Sequence, residues 1–272
     1  MPSPGPSSAD PRRGSAAPSS FRGQRAAARS AALCAIVLAL AGWGAGPLAA
    51  AAVATVAGAI VAVGWGRVLD LPSARGTRVV LGAVVALAVL AAVIGHLDDA
   101  SFALSVWWAL PVAGGVWASL AHQVWRSDGR PRVVDLLTAE VFAVLVIVAG
   151  FLWSWATPAA ALAAAAGLAA TALVDSVAPR QRFVAWAVGV VVGLAVAATW
   201  WAVRDDVSTA RSLTLGSVAV LAPTISQATR LVLLRLPAVR SGVTGGVVVG
   251  VVSASLAGIV TGLFAMVSPL IG

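Results

Sequence analysis

Lysine, asparagine and tyrosine are missing from this 272-residue chain, and cysteine is reduced to Cys34. One cysteine excludes a disulfide framework and a cysteine-based metal site. Cys34 falls inside the first apolar segment, where packing accounts for it; Ala32 and Leu33 before it do not suit a lipoprotein cleavage site. The missing residues have AT-rich codons, whereas the abundant Ala, Gly, Arg and Pro have GC-rich ones. The use of arginine for all 18 basic positions therefore points to a high-GC bacterial genome and carries no mechanism. Charge is scarce too, at 10% of residues, against about a quarter in soluble domains.

A chain this poor in charge cannot solvate an ordinary surface. It is 60% hydrophobic, with a mean hydropathy of +0.96, and its partner is membrane lipid. The net charge of +8 does not indicate nucleic acid, because the arginines are spread through short loops instead of gathering on one face.

Residues 1–25, rich in Pro, Ser, Gly and Arg, read as a disordered basic tail. Residues 26–272 read as one all-α domain, a polytopic transmembrane bundle of about nine helices, at roughly 20 apolar residues per span. The predicted spans are Ala26–Gly44, Leu48–Trp65, Val79–Gly95, Phe102–Ala121, Val133–Trp155, Pro158–Val174, Phe183–Val203, Leu213–Leu233 and Val243–Ile271. The first resembles a signal peptide in its flanks, but the second span follows at once, so a retained helix is expected.

Alternate loops, with the tail, hold 16 of the 18 arginines; the opposite side has only Arg204 and Arg211, with Asp98, Asp99, Asp205 and Asp206. The positive-inside rule puts the arginine side, and the N-terminus, in the cytoplasm of a cell membrane and the C-terminus outside. Tryptophans near predicted span ends, among them Trp43, Trp65, Trp125, Trp153, Trp200 and Trp201, read as interfacial belts.

The chain also matches itself. Asp98-Asp99 and Asp205-Asp206 are 107 residues apart, Asp70 and Asp175 are 105 apart, and Pro111 and Pro223 are 112 apart. Both prolines are expected inside spans, where they weaken the backbone ladder. These offsets predict two parallel four-helix units, residues 26–122 and 133–233, followed by a final helix at 243–271.

Ionisable groups inside spans are costly and invite a functional reading. Glu140 lies about 10 Å along the fifth span from its arginine-side end, at 1.5 Å per residue. Gln227 on the eighth span reaches a similar depth, with Arg230 near the arginine-side end of that span, and the three together form the candidate intramembrane site. Arg126, Arg130 and Arg132, in the most polar loop, are candidate contacts for a phosphate or lipid headgroup. His96 and His122 fall on opposite sides and cannot share a metal. No metal, cofactor or catalytic residue is assigned. Glycine pairs at 189/193, 246/250 and 258/262 are spaced for close helix approach.

Asp128-Gly129 superficially resembles the opening of the CDP-alcohol phosphotransferase motif, but Arg130-Pro131-Arg132 follows and the later aspartates are missing. The topology is similar to that of intramembrane prenyltransferases, yet Asp70 and Asp175 each stand alone where that family carries Asp-rich motifs. Neither family is assigned. The pattern points to a transport or lipid-handling permease. The alternative is a non-catalytic subunit or scaffold of an envelope complex, with a protein partner or a second copy; an enzyme acting on a lipid phosphate ranks third.

Overall fold

The computed structural model describes residues 20–97, 106–129, 131–203 and 208–268. Within them the fold is all-α. Helices α1 (Ser20–Gly44), α2 (Pro47–Val68), α3 (Ala74–Leu97), α4 (Ala109–Trp125) and α5 (Val133–Phe151) come first. Then follow α6 (Pro158–Val177), α7 (Arg182–Ala202), α8 (Thr209–Leu233), the short α9 (Pro237–Ser241) and α10 (Val243–Val267). Short 3-10 turns at Val106–Trp108 and Leu152–Trp155 precede α4 and extend α5. Arg12, Arg13, the first part of the tail, Asp98-Asp99, Arg130, Arg204 and Asp205-Asp206 lie outside the described residues.

Each predicted span overlaps a helix, with residues 102–105 of the fourth and 269–271 of the ninth outside the described residues. Seven helices are long and apolar enough to cross a membrane: α1, α2, α3, α5 with its 3-10 turn, α6, α7 and α10. The other two are α4, at 17 residues, and the less apolar α8. Helix α1 begins at Ser20, inside the stretch assigned from sequence to the tail.

Local chemistry sets the boundaries. Gly46, at a φ of +89°, turns the chain between α1 and α2, and Pro47 opens α2 with no donor to lose. Thr157 and Ser208 cap α6 and α8, accepting the backbone N–H of Ala160 and Arg211. Pro111 sits in the first turn of α4, where its missing N–H was already an orphan; the expected disruption of a mid-span ladder does not occur there. Pro223 does lie inside α8, and the Ala219 carbonyl it would have bonded faces Gly193 of α7 instead.

Helix α10 stands at the centre, packed by α1, α2, α5 and α8; α3 and α4 flank α5, α6 lies against α1 and α8, and α7 lies against α6 and α8. Small residues permit these approaches. A Cβ at Gly250 would overlap the Ala27 carbonyl and Ser30 hydroxyl of α1, and one at Gly258 would overlap the Ala149 carbonyl of α5. Gly189 likewise meets Thr171 and Gly167 of α6. The glycine pairs thus serve packing within the chain.

Two tryptophans depart from the interfacial reading. Trp65 and Trp153 are buried, and their indole N–H groups donate to the carbonyls of Ala139 (2.8 Å) and Ala254 (3.1 Å). A buried indole needs such an acceptor, and each ties two helices together. Trp43 and Trp125 remain exposed.

Gly258→Val should destabilise the bundle by about 1–3 kcal/mol through overpacking. Gly82→Val, at an exposed position with open space around it, should be neutral by comparison. Thermal unfolding of the two solubilised variants checks this, and equal midpoints would contradict the packing assigned to Gly258.

Candidate functional site

Glu140, the sole glutamate in the chain, lies on α5 and is fully buried. Thr77 Oγ1 on α3 donates to its Oε1 at 2.8 Å. His122 Nδ1 on α4 lies 2.8 Å from the same oxygen. The other imidazole nitrogen is 3.1 Å from the hydroxyl of Ser73, which precedes α3. Gly76 makes this possible, because a Cβ there would overlap the His122 ring.

Among the described residues, the second carboxylate oxygen, Oε2, has no well-aligned hydrogen-bond partner, nor do Gln123 Nε2 and Ser119 Oγ on α4. The Gln123 amide acts on the carboxylate electrostatically but forms no well-aligned hydrogen bond with it. Ser119 belongs to the same layer. Gly115 presses on Val144 of α5 and Val84 of α3; one turn along antiparallel α4 and one turn back along α5 lead to Ser119 and Glu140. Gln123 therefore partners the carboxylate in poor alignment, and polar atoms so weakly paired are expensive when buried.

His122, Ser73 and Gly76 also line a cavity of about 510 Å³ between α3 and α4. Its other walls join polar Arg126, Ser127 and Asp128 to apolar Val79, Val80, Ala83 and Trp125. The buried carboxylate is thus one imidazole away from an amphipathic groove.

Gln227 and Arg230 do not join Glu140. They face α6, α7 and α10, whereas Glu140 faces α3 and α4. Arg230 NH2 donates to Asp175 Oδ2 at 2.8 Å and NH1 donates to Ser226 Oγ at 2.7 Å. Gln227 Nε2 donates to the Arg182 carbonyl at 2.9 Å and reaches Asp175 Oδ1 at 3.4 Å. Ser226 in turn donates to Ser253 Oγ on α10 at 3.3 Å. The result is a closed, buried ion pair holding four helices.

Of the loop arginines, Arg126 is buried and folded back onto its own loop. It holds both Asp128 oxygens, the nearest at 2.7 Å, with Gln123 Oε1 at 3.0 Å and the Pro131 carbonyl at 3.3 Å. Arg132, in a left-handed turn at φ 52°, is exposed and reaches Asp135 at 3.0 Å and the Asp70 carbonyl at 3.2 Å. Arg126 therefore shapes the groove wall, and Arg132 ties the start of α5 to the end of α2.

Sequence reasoning named Glu140 but missed Thr77, Ser73, Gln123 and His122 as its neighbours. One signal was present. His122 and Glu140 are equidistant from Pro131 in a helical hairpin, so an antiparallel register brings them level.

The fold and its apolar helices define a polytopic, all-helical membrane protein. Compared with known protein families, curated proteins and solved structures, the chain matches none.

Arg230→Met alone should cost about 3–5 kcal/mol, because it strands a buried carboxylate. Combining it with Asp175→Leu should recover most of that loss, since an apolar pair of similar volume carries no desolvation cost. Thermal unfolding of single and double variants measures the difference; a double variant as unstable as the single would refute a closed structural pair.

Proposed function

We propose that the chain is a nine-span permease-like protein, cytoplasmic at its N-terminus, that handles an amphipathic cargo in the α3/α4 groove and binds a proton at Glu140–His122. The 2.8 Å contact between Glu140 and His122, in a buried layer that opens on that groove through the imidazole, carries the reading. A carboxylate with one oxygen satisfied and one open can hold a proton and pass it to an imidazole. A charge here is costly in hydrocarbon, so the protonation state of the pair and the occupancy of the groove are coupled.

Two features support the transporter-type architecture. Helices α4 and α8 both end in Gln-x-x-Arg, at Gln123/Arg126 and Gln227/Arg230, an offset of 104. In each, the buried arginine is held by an aspartate, Asp128 or Asp175. The Gln-x-x-Arg offset agrees with the predicted parallel repeat, whereas the two aspartates do not correspond, Asp128 lying in the loop after α4 and Asp175 on α6. The scaffold alternative loses a support, because the glycine faces that would serve docking are occupied inside the chain.

The reading is tested by infrared difference spectra of the membrane-reconstituted protein as pH is stepped between about 5 and 8, the range in which histidine changes charge. A carboxyl band should respond to pH, vanish in Glu140→Gln and shift in His122→Asn, with protein level and unfolding midpoint retained. A spectrum in which Glu140→Gln removes no pH-dependent band would sink the proposal.

A further inference from the structure

The opposite end of the bundle holds a second candidate site, independent of Glu140. There α1, α7 and α10 finish while α6 and α8 begin, and their termini enclose a cavity of about 340 Å³. Its lining includes Trp43, Trp200 and Trp201 as apolar rings and Thr157, Arg211 and Ser268 as polar groups.

Two features set Arg211 apart. It stands in the first turn of α8, where the helix dipole is positive and a cation is disfavoured. It is one of only two arginines that the loop pattern puts on the outer side. Among the described residues it has no ion pair, and its Nε is buried without an acceptor. Trp201, lining the same cavity, likewise has a buried indole N–H with no acceptor. Two orphan donors, one of them charged, belong to side chains that line one cavity, beside the hydroxyls of Thr157 and Ser268. The complement is an oxyanion, and a guanidinium fork fits phosphate oxygens.

Trp200 has a further role. It also lines an adjoining groove of about 370 Å³ whose other walls are Val196, Thr199 and Val203 of α7. A polar pocket and an apolar groove meeting at one ring suit an amphiphile.

We propose that this Trp-lined cavity binds a phosphate group carried on a membrane lipid. The phosphate accepts hydrogen bonds from Arg211 and Trp201, and the apolar part passes Trp200 into the groove along α7. Free phosphate shares the donor chemistry but leaves the groove unused.

The test uses the full chain in a neutral detergent, titrated with phosphatidic acid, with phosphatidylcholine of the same acyl chains, and with inorganic phosphate. Native mass spectrometry counts adducts, and tryptophan emission follows occupancy. Phosphatidic acid should bind at least tenfold more tightly than phosphatidylcholine. Arg211→Gln should lose that preference about tenfold or more, and Trp201→Phe, which keeps the ring and removes only the N–H, should weaken it less. Arg180→Gln, exposed at the other end, should leave it intact. Equal binding of the two lipids, or unchanged preference in both Arg211→Gln and Trp201→Phe, would overturn the site. Inorganic phosphate competing as well as the lipid would keep the oxyanion site and overturn the lipid as its source.

Discussion

Hydrocarbon offers no hydrogen bonds, so a polar side chain that enters this bundle needs a protein partner, either a carbonyl of its own helix, as Thr171 finds at Gly167, or a group on another helix. The interior is organised round that requirement. Arg230 meets Asp175 across α8 and α6. Ser226 meets Ser253 across α8 and α10. Trp65 and Trp153 send their indole N–H groups to carbonyls of α5 and α10. These contacts specify which helix faces which, a job that uniform Ala and Val faces cannot do alone, since lipid tails compete equally for apolar surface.

Small residues make the directional contacts reachable. Gly250 lets α10 lie against the Ala27 backbone, and Gly258 lets it lie against Ala149. The resulting α1–α10–α5 stack is close enough for Trp153 to bridge from α5 to Ala254. Gly76 acts in the same way at the candidate site, since only a residue without a Cβ leaves room for His122 to turn between Glu140 and Ser73. Packing and function therefore draw on the same composition bias.

Hydropathy made the helices legible, because a segment of Val, Leu and Ala about 20 residues long has few alternatives in a charge-poor chain. Loop arginines made the alternation legible, and the ends of α1, α7 and α10 do gather with the starts of α6 and α8. Contacts between distant helices were not legible. Glu140 and Gln227 lie at similar depth, yet depth says nothing about azimuth, and they face different neighbours. The interfacial reading of Trp65 failed for the same reason, since a position near a span end is compatible with either lipid or core. Pro111 misled through a boundary, as the regular helix starts only two residues before it.

The two Gln-x-x-Arg ends sharpen the functional argument by their difference. At α8 the aspartate comes from another helix, Arg230 and Asp175 satisfy each other in a buried setting, and the cluster locks α6 to α8. At α4 the aspartate is local: Asp128 holds Arg126 within its own loop, leaving the helix face above it free of a charged partner. Glu140 and His122 occupy that face, beside an open groove, with Oε2 and Gln123 Nε2 lacking well-aligned partners among the described residues. A bundle that only needed to be stable would repeat the α8 solution at both ends. The α4 arrangement gives up well-aligned hydrogen bonds in a medium where they are hard to replace, and departures of that kind mark places where a sequence serves something besides stability.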